Sequence, residues 1–158
     1  MAKQLWFLRH GDAEPHGARP DTERRLTEKG ERQSRTAGAA LRRMEIPFHT
    51  VFTSPRIRAL DTAKLACESF GCEPVVHEPL SDGFDAGDAL ELVAGFDDDA
   101  RILVVGHEPD LSQTIRDLTG GRVDMKKGGV AAVRVERRTG ELLVLLRPAE
   151  LRAMSVSA

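Results

Sequence analysis

Residues 4–15, QLWFLRHGDAEP, join an apolar run directly to an arginine, a histidine and a glycine. No polar residue interrupts the run at positions 5–8, which predicts a strand buried on both faces. Arg9 and His10 then lie at the carboxyl end of this strand, and Gly11 permits a sharp turn. Ligands of open α/β sheets bind at that edge. The stretch therefore predicts an anion-binding site at the end of a buried strand.

Length, charge and apolar content limit the classes of protein that this chain can be. The 158 residues carry a net charge of −2 and 41% of them are hydrophobic. These values are typical of one globular domain, here residues 1–158. The balanced charge predicts no nucleic-acid partner and no membrane partner. Without an apolar segment that resembles a signal peptide or a membrane span, the expected location is cytoplasmic.

Strand-like and helix-like runs alternate along the chain, which predicts an α/β fold with a mostly parallel sheet covered by helices in a three-layer sandwich. The short segment ERRTGE joins the last two strands as a hairpin, so the sheet is expected to carry an antiparallel edge strand. Strands are predicted at residues 4–8, 50–53, 74–77, 102–105, 130–135 and 142–146.

Helices are predicted from capping residues and from apolar side chains at helical spacing. Thr27 is expected to cap a helix that runs to about Met44. Ser54 and Pro55 predict a second helix with proline at its first position, ending at Gly71. Two shorter helices are expected at residues 89–96 and at about 111–118. The long irregular stretch at residues 11–25 is predicted to be functional, because a loop of this length inside a compact domain usually is.

Side chains that can bind an anion or take part in catalysis follow three of the predicted strands. Besides Arg9 and His10, the segment VFTSPRIRALDTA places Arg58 in the first turn of a helix, and ILVVGHEPDLS places His107 after another apolar strand. In a parallel sheet these strand ends open on one edge. Two arginines, two histidines and a helix N-terminus suit a phosphoryl group best.

Other interpretations of these residues remain open at this stage. The spacing of HGD also allows a metal-dependent hydrolase with His10, Asp12 and His107 as ligands, although the neighbouring arginines would repel a cation. A phosphate-binding module without turnover uses the same residues. The remaining histidines have no comparable setting and are expected to be solvated or structural; these are His16, His49 and His77.

The motifs LRHGDAEP, RRLTEKG, TSPRIRALDTA and VVGHEPDLS, in that order, resemble the histidine phosphatase superfamily. The short length and the segment DTERRLTEKG are similar to the SixA-type phosphohistidine phosphatases. The resemblance spans the chain from the first strand to about Val135. It implies a phosphoglycerate mutase-like fold and a catalytic mechanism that requires no metal and no cofactor.

The resemblance also assigns roles to the residues that match the family's motifs. It implies that His10 is the nucleophile and is transiently phosphorylated. Arg9, Arg58 and His107 match the rest of the phosphate pocket, so they are the expected substrate-binding residues as well as catalytic ones. Planar arginine forks suit phosphoryl oxygens, and positioned cations supply most of the catalysis in phosphoryl transfer.

The segment in which the family's general acid is expected departs from the family's pattern. Many relatives outside the SixA branch carry a glutamate in a Leu-x-Glu pattern followed by glycine, whereas this chain has EPLSDGFDAGD. Asp82 is therefore the candidate acid, and Asp85 is the second candidate. Both also fit the simpler role of turn or cap residues that lead into the next helix.

The resemblance favours phosphohistidine on a protein, such as a phosphotransfer domain, as the substrate. A leaving imidazole needs less protonation than an alkoxide, so a missing acid is tolerated there. The alternatives are a phosphatase of small phosphate esters, such as sugar or nucleotide phosphates, and a non-catalytic phosphate-binding module. The partner is thus a phosphorylated protein or a small phosphorylated substrate, and the sequence predicts no oligomeric state.

Overall fold

A computed structural model describes residues 2–156 of the chain. It has six strands and five α-helices, which alternate as far as the fifth strand, and two short 3-10 turns at Asp21–Glu23 and Glu78–Leu80. The strands are β1 (Ala2–Arg9), β2 (Thr50–Thr53), β3 (Val75–Val76), β4 (Arg101–Gly106), β5 (Val130–Glu136) and β6 (Thr139–Leu146). The helices are α1 (Glu28–Arg43), α2 (Ile57–Phe70), α3 (Ala86–Ala94), α4 (Asp110–Thr119) and α5 (Pro148–Ser155).

All six strands form one sheet in the order β3-β2-β4-β1-β5-β6. The pairs β1–β4, β2–β4 and β2–β3 are parallel. Strand β5 runs antiparallel to both β1 and β6, and the β5–β6 hairpin lies at one edge of the sheet. The mostly parallel sheet with antiparallel pairing at its edge is confirmed.

The sheet has a hydrophobic core on each face, because the side chains of a strand alternate between the two faces. Leu5 and Phe7 of β1 pack on one face with residues of α3 and α4. Trp6 and Leu8 pack on the other face with residues of α1, α2 and α5. Residues 5–8 are all buried, as predicted. The three-layer arrangement is therefore confirmed.

The register of the parallel strands brings three strand ends together. Arg9 pairs with Gly106, and Thr53 pairs with Val105, so β1, β2 and β4 end side by side. The residues that follow these strands consequently share one edge of the sheet. This edge is the predicted location of the site.

The start of α2 differs from the prediction. The helix begins at Ile57, two residues after Pro55, and its N-cap Arg56 has an extended backbone. The Ser54 hydroxyl accepts a hydrogen bond from the Arg56 amide and also contacts His107. Ser54 therefore shapes a turn before the helix, and Arg58 still lies in the first helical turn, as predicted.

Other boundaries show how capping sets helix ends. Thr27 caps α1 and accepts from the Gly30 amide, as predicted. Helix α3 begins at Ala86, three residues before the predicted start, because Asp85 caps it. Helix α5 was not predicted. Within residues 2–156, no helix has the length and hydropathy that a membrane span requires.

Gly11 is required for close packing rather than for an unusual backbone angle. A Cβ at this position would lie 2.5 Å from the carbonyl oxygen of Gly30 in the first turn of α1. The Gly11 amide donates to the Thr62 hydroxyl of α2 at 3.1 Å. The residue after His10 is thus held between α1 and α2, which fixes the backbone that carries the histidine.

Candidate active site

A pocket of about 370 Å³ lies at the shared ends of β1, β2 and β4. It contains four of the predicted residues, namely Arg9, His10, Arg58 and His107. The remaining lining residues come from the 11–25 loop and from the segments beside the predicted ones: Ala13, Glu14, Pro15, His16, Asp21, Arg24, Arg56, Glu108 and Lys127. The predicted functional loop therefore forms one wall of the pocket.

The hydrogen bond of His10 determines which ring nitrogen is free. His10 Nδ1 lies 2.7 Å from the carbonyl oxygen of Gly11. A carbonyl only accepts, so Nδ1 carries the proton and donates it. In the neutral ring Nε2 then holds a lone pair. This tautomer makes Nε2 the nucleophilic atom.

Burial keeps His10 neutral. Its pKa is lowered to about 4, mainly by desolvation and also by the charges of Arg58, Arg9 and Arg24, against the opposing effect of the Gly11 carbonyl. A neutral imidazole at neutral pH can attack an electrophile, whereas an imidazolium cannot. The surrounding cations therefore favour the reactive form of this side chain.

His107 stands beside His10, with ring centroids 5.2 Å apart. Its Nε2 lies 2.7 Å from the Ser54 hydroxyl, while its Nδ1 is buried without a hydrogen-bond partner within residues 2–156. The pKa of His107 is lowered to about 3, mainly by burial and also by His10, Arg58 and Arg56. Both histidines of the pair are thus neutral at pH 7.

Arg9 and Arg58 each bond a protein carbonyl through one guanidinium nitrogen and have another guanidinium nitrogen without a partner among the described residues. Arg9 Nη1 donates to the Met125 carbonyl at 2.9 Å, and Arg58 Nη1 donates to the Asp21 carbonyl at 2.7 Å. The Nε atoms of both arginines are buried and have no partner in the part of the chain described. Buried donors without partners are rare in proteins, and a catalytic or ligand-binding role is one explanation for them.

Asp21 is the main residue that the sequence analysis missed. Its carboxylate accepts from Arg24 Nε at 3.0 Å, and it also binds Arg56 Nη1 and Arg58 Nη2. Burial raises the pKa of Asp21, but the charges of Arg58, Arg24 and Arg56 outweigh this effect, so the pKa is lowered. This carboxylate holds three arginines beside the pocket. The sequence did offer a reason to expect Arg56 near the pocket, since it lies two residues before Arg58 in SPRIR.

Three carboxylates line the pocket within the described residues, and each is already engaged. Glu14 accepts from the Arg25 amide and from Arg19 Nε, and these bonds lower its pKa. Glu108 accepts from the amide and the hydroxyl of Ser112. Together with Asp21, these contacts leave none of the three carboxylates without a donor.

The predicted acids lie elsewhere. Asp82 is exposed and is not among the residues that line the pocket. Asp85 caps α3, with its carboxylate accepting from the Asp88 amide at 2.9 Å. The spacing after Leu80 resembles the family's pattern, but the 3-10 turn and the α3 cap direct this segment into local structure. For Asp85 the simpler cap interpretation is thus the one observed.

The ligands of the metal-site alternative are not brought together. The Asp12 carboxylate binds the Thr27 hydroxyl at 2.8 Å and Lys127 Nζ at 3.3 Å, outside the pocket that holds His10 and His107. Within residues 2–156, no three His, Cys, Asp or Glu side chains are grouped as metal ligands. The donor set therefore does not fit that alternative.

The other histidines have ordinary contacts, with one exception. His49 Nδ1 accepts from the Arg101 amide, and His77 packs against Phe52 and Phe84. His16 instead lines the rim of the pocket, 3.8 Å from Asp21, with its side chain 86% exposed. His16 is therefore solvated, as predicted, and it reaches the rim of the pocket because the 11–25 loop folds back over the start of α2.

The low pKa values of the histidine pair predict that acid weakens the fold. An unfolded histidine has a pKa of about 6.5, whereas the folded values are about 4 for His10 and about 3 for His107. Below pH 6.5 the unfolded chain therefore binds protons that the folded chain does not. Stability is fully present above about pH 6.5 and is lost as the pH falls, by up to about 1.4 kcal/mol per pH unit for each histidine.

Urea unfolding at pH 7, 6 and 5 measures this slope. We expect His107→Gln to reduce this slope by up to about 1.4 kcal/mol per pH unit, the contribution of one proton. Equal slopes for His107→Gln and the wild type would show that His107 takes up its proton in the folded state.

Most of the chain is similar in sequence to known proteins. Residues 5–89 match the model of the histidine phosphatase superfamily (branch 1). An uncharacterized protein of Picosynechococcus sp. is 31% identical over 156 residues, covering 90% of this chain and 94% of that protein.

Two solved structures share the fold at lower identity. The protein histidine phosphatase SixA complexed with tungstate has a TM-score of 0.85 and 24% identity, covering 94% of this chain and 99% of that one. Phosphoserine phosphatase of Entamoeba histolytica in complex with 3-phosphoglyceric acid has a TM-score of 0.74 and 16% identity, with 94% and 99% covered. The structural likeness confirms the phosphoglycerate mutase-like fold, and the family match shows that the chain belongs to branch 1 of the histidine phosphatase superfamily.

Proposed function

We propose that this protein is a phosphatase that removes phosphate from phosphohistidine on a protein through a phosphorylated His10. The observation that carries the proposal is the state of His10. Its Nδ1 donates to the Gly11 carbonyl, its pKa is lowered to about 4, and the pocket around it is rich in cations. A neutral nucleophile among positive charges suits attack on a phosphoryl group.

The reaction divides into two transfers. His10 Nε2 attacks phosphorus and forms an N–P bond, while the bond from phosphorus to the substrate imidazole breaks. The electron pair of that bond stays on the leaving nitrogen, and the ring leaves as neutral imidazole with a proton that its other nitrogen carries or that it takes from solvent. Water then attacks phosphorus on His10, which releases inorganic phosphate and restores the neutral ring. The buried Nε–H groups of Arg9 and Arg58 donate to the oxygens of the transferred group in both steps.

His107, whose ring centroid lies 5.2 Å from that of His10, supplies a further donor. The Ser54 hydroxyl can donate to His107 Nε2, which leaves the proton on the unpartnered Nδ1. A phosphoryl group beside the ring also raises the pKa of His107, since an anion favours the protonated form. In either form His107 stabilises the negative oxygens of the transition state.

The engaged carboxylates support phosphohistidine over an alkyl ester. An alkoxide leaves well only with a positioned proton donor, which is typically worth about 10²–10⁴-fold. Glu14, Asp21 and Glu108 are all bonded to donors, and Asp82 is exposed outside the pocket. An imidazole leaving group needs less help, so it fits this pocket better.

A phosphatase of small phosphate esters is the second candidate. The volume of about 370 Å³ falls in the usual range of about 300–1,000 Å³ for small-molecule sites. This candidate requires an acid within the pocket, and a binding module without turnover requires that His10 is never phosphorylated. Both alternatives are separable from the proposal by assay.

The test compares an N-phosphohistidine peptide, an aryl phosphate and an alkyl phosphate in excess chelator. We expect the wild type to hydrolyse the first two and to be slow on the third. Asp82→Asn should stay within about twofold of the wild type on every substrate. Rapid alkyl phosphate turnover that Asp82→Asn abolishes would overturn the phosphohistidine assignment, and no turnover of any substrate would support the binding module.

A further inference from the structure

A second and larger cavity adjoins the pocket. It is a groove of about 750 Å³ between α1, residues 126–128 and the start of α5, and we call it the basic groove. Six of its lining residues are cations and one is an acid, Asp12. The cations are Arg9, Lys29, Arg32, Lys126, Lys127 and Arg152.

Two of these six cations are ion-paired, and four, including the half-buried Arg9, form no ion pair within the described part of the chain. Lys126 pairs with Asp124 at 2.8 Å, and Lys127 pairs with Asp12 at 3.3 Å. Lys29, Arg32 and Arg152 form no ion pair with the residues from 2 to 156, and all three are exposed. An exposed cluster of like charges without counter-charges raises a positive potential that attracts anions.

The basic groove is continuous with the pocket that holds His10. Arg9 and Lys127 line both cavities. From there the groove follows one face of α1, where Lys29, Arg32 and Thr36 are spaced three and four residues apart. At about 1.5 Å per residue this face is about 10 Å long. A single ligand can therefore occupy the pocket and extend along the groove.

We propose that the basic groove binds an acidic segment of the phosphorylated protein, next to the phosphohistidine that enters the pocket. The inference rests on the proposed function and adds a determinant of substrate choice to it. Glutamate and aspartate side chains spaced along a peptide complement the row of cations on α1. Electrostatic complementarity of this kind speeds association and discriminates between partners.

The lining favours a protein segment over a nucleic acid. Pro148, Ala149 and Leu151 supply an apolar wall at the start of α5. No aromatic side chain lines the groove within the described residues, whereas single-stranded nucleic acids are usually bound with aromatic stacking. Apolar and cationic surface side by side suits an amphipathic acidic peptide.

The test uses two fluorescent N-phosphohistidine peptides that differ only in their flanking residues, glutamate in one and glutamine in the other. Binding is measured by anisotropy at low and high salt in the His10→Ala background, where the peptides are not consumed. The groove variant carries Lys29→Glu and Arg32→Glu. The control carries Lys64→Glu and Arg138→Glu, the same charge change at two exposed cations outside the groove.

We expect the glutamate peptide to bind at least about tenfold more tightly than the glutamine peptide, with the preference reduced by salt. The groove variant should lose the preference, and the control should keep it. Equal binding of the two peptides, loss of preference in the control alone, or tighter binding of an oligonucleotide of equal charge would overturn the inference.

Turnover separates this inference from the proposed function. Wild-type hydrolysis of the glutamine peptide tests phosphohistidine phosphatase activity without the groove. If neither peptide is hydrolysed but the glutamate preference persists, the groove assignment stands and the reaction assignment fails. If both are hydrolysed with equal kcat/KM and bound equally, the reaction stands and the groove assignment fails.

Discussion

Replacement of His10 by Ala is expected to lower turnover of a phosphohistidine peptide by at least about 10⁴-fold, because the proposed nucleophile is removed. No other side chain replaces it, since His107 directs Nε2 to Ser54 and the arginines hold their protons. The fold should survive, because the His10 ring lies at a strand end and its hydrogen bond is to the neighbouring carbonyl of Gly11. Initial rates and circular dichroism measure the two effects.

His16→Ala is the matched control for this experiment. His16 lies at the rim of the same pocket with its side chain 86% exposed, so we expect its turnover to stay within a few-fold of the wild type. Residual activity of His10→Ala above a tenth of the wild-type value would show that another group, or water directly, attacks phosphorus.

Arg9→Lys and Arg58→Lys are expected to lower kcat/KM by about a hundredfold each. Removing one donor to a transition-state oxyanion typically costs about 2.7–4 kcal/mol. Each arginine keeps one end on a protein carbonyl, Met125 or Asp21, while its Nε remains for the transferred group. A lysine ammonium has no second nitrogen at the required spacing, so it cannot serve both.

Arg42→Lys on α1 is the control for the arginine substitutions. Arg42 is exposed and its guanidinium contacts the Ser69 carbonyl at 3.4 Å, outside the pocket. We expect its kcat/KM to be unchanged on peptide and aryl phosphate alike. Comparable losses at Arg42 and Arg58 would mean that general destabilisation, rather than transition-state binding, explains the effect.

The residues at the strand ends were predictable because their signals are local. An apolar run followed by Arg9 and His10, and another followed by His107, combine with parallel pairing to converge on one edge. Because the carboxyl ends of parallel strands share one edge of the sheet, this prediction requires no information about contacts between residues that are distant in sequence. The same holds for Thr27, whose cap is formed with a residue three positions away.

The arginine array around Asp21 was not predictable in the same way. Asp21 belongs to a loop without periodicity, and its partners Arg56 and Arg58 are 35 and 37 positions away. These contacts exist only because residues 11–25 fold over the start of α2. The loop's length indicated function, but nothing in its sequence distinguished Asp21 from Asp12 or Glu14.

The start of α2 was predicted from the general preference for proline at the first helical position. Ser54 instead contacts His107, 53 positions away, and the helix begins at Ile57. A contact that is distant in sequence therefore accompanies the departure from the local preference. Asp82 stays a candidate from family spacing alone, and Asp85, three residues after it, caps α3. Helix α5 was missed because Leu151 is its only buried residue among those described.

The most direct test is to trap the phosphorylated enzyme. Wild-type protein is mixed with a radiolabelled N-phosphohistidine peptide in slight excess of enzyme and quenched within a single turnover, in alkali or in acid. The account predicts a label on the protein that survives alkali, is lost in acid as phosphohistidine is, and is absent from His10→Ala. A label that survives acid, or consumption of the peptide with no label on the protein at any time, would contradict phosphoryl transfer through His10.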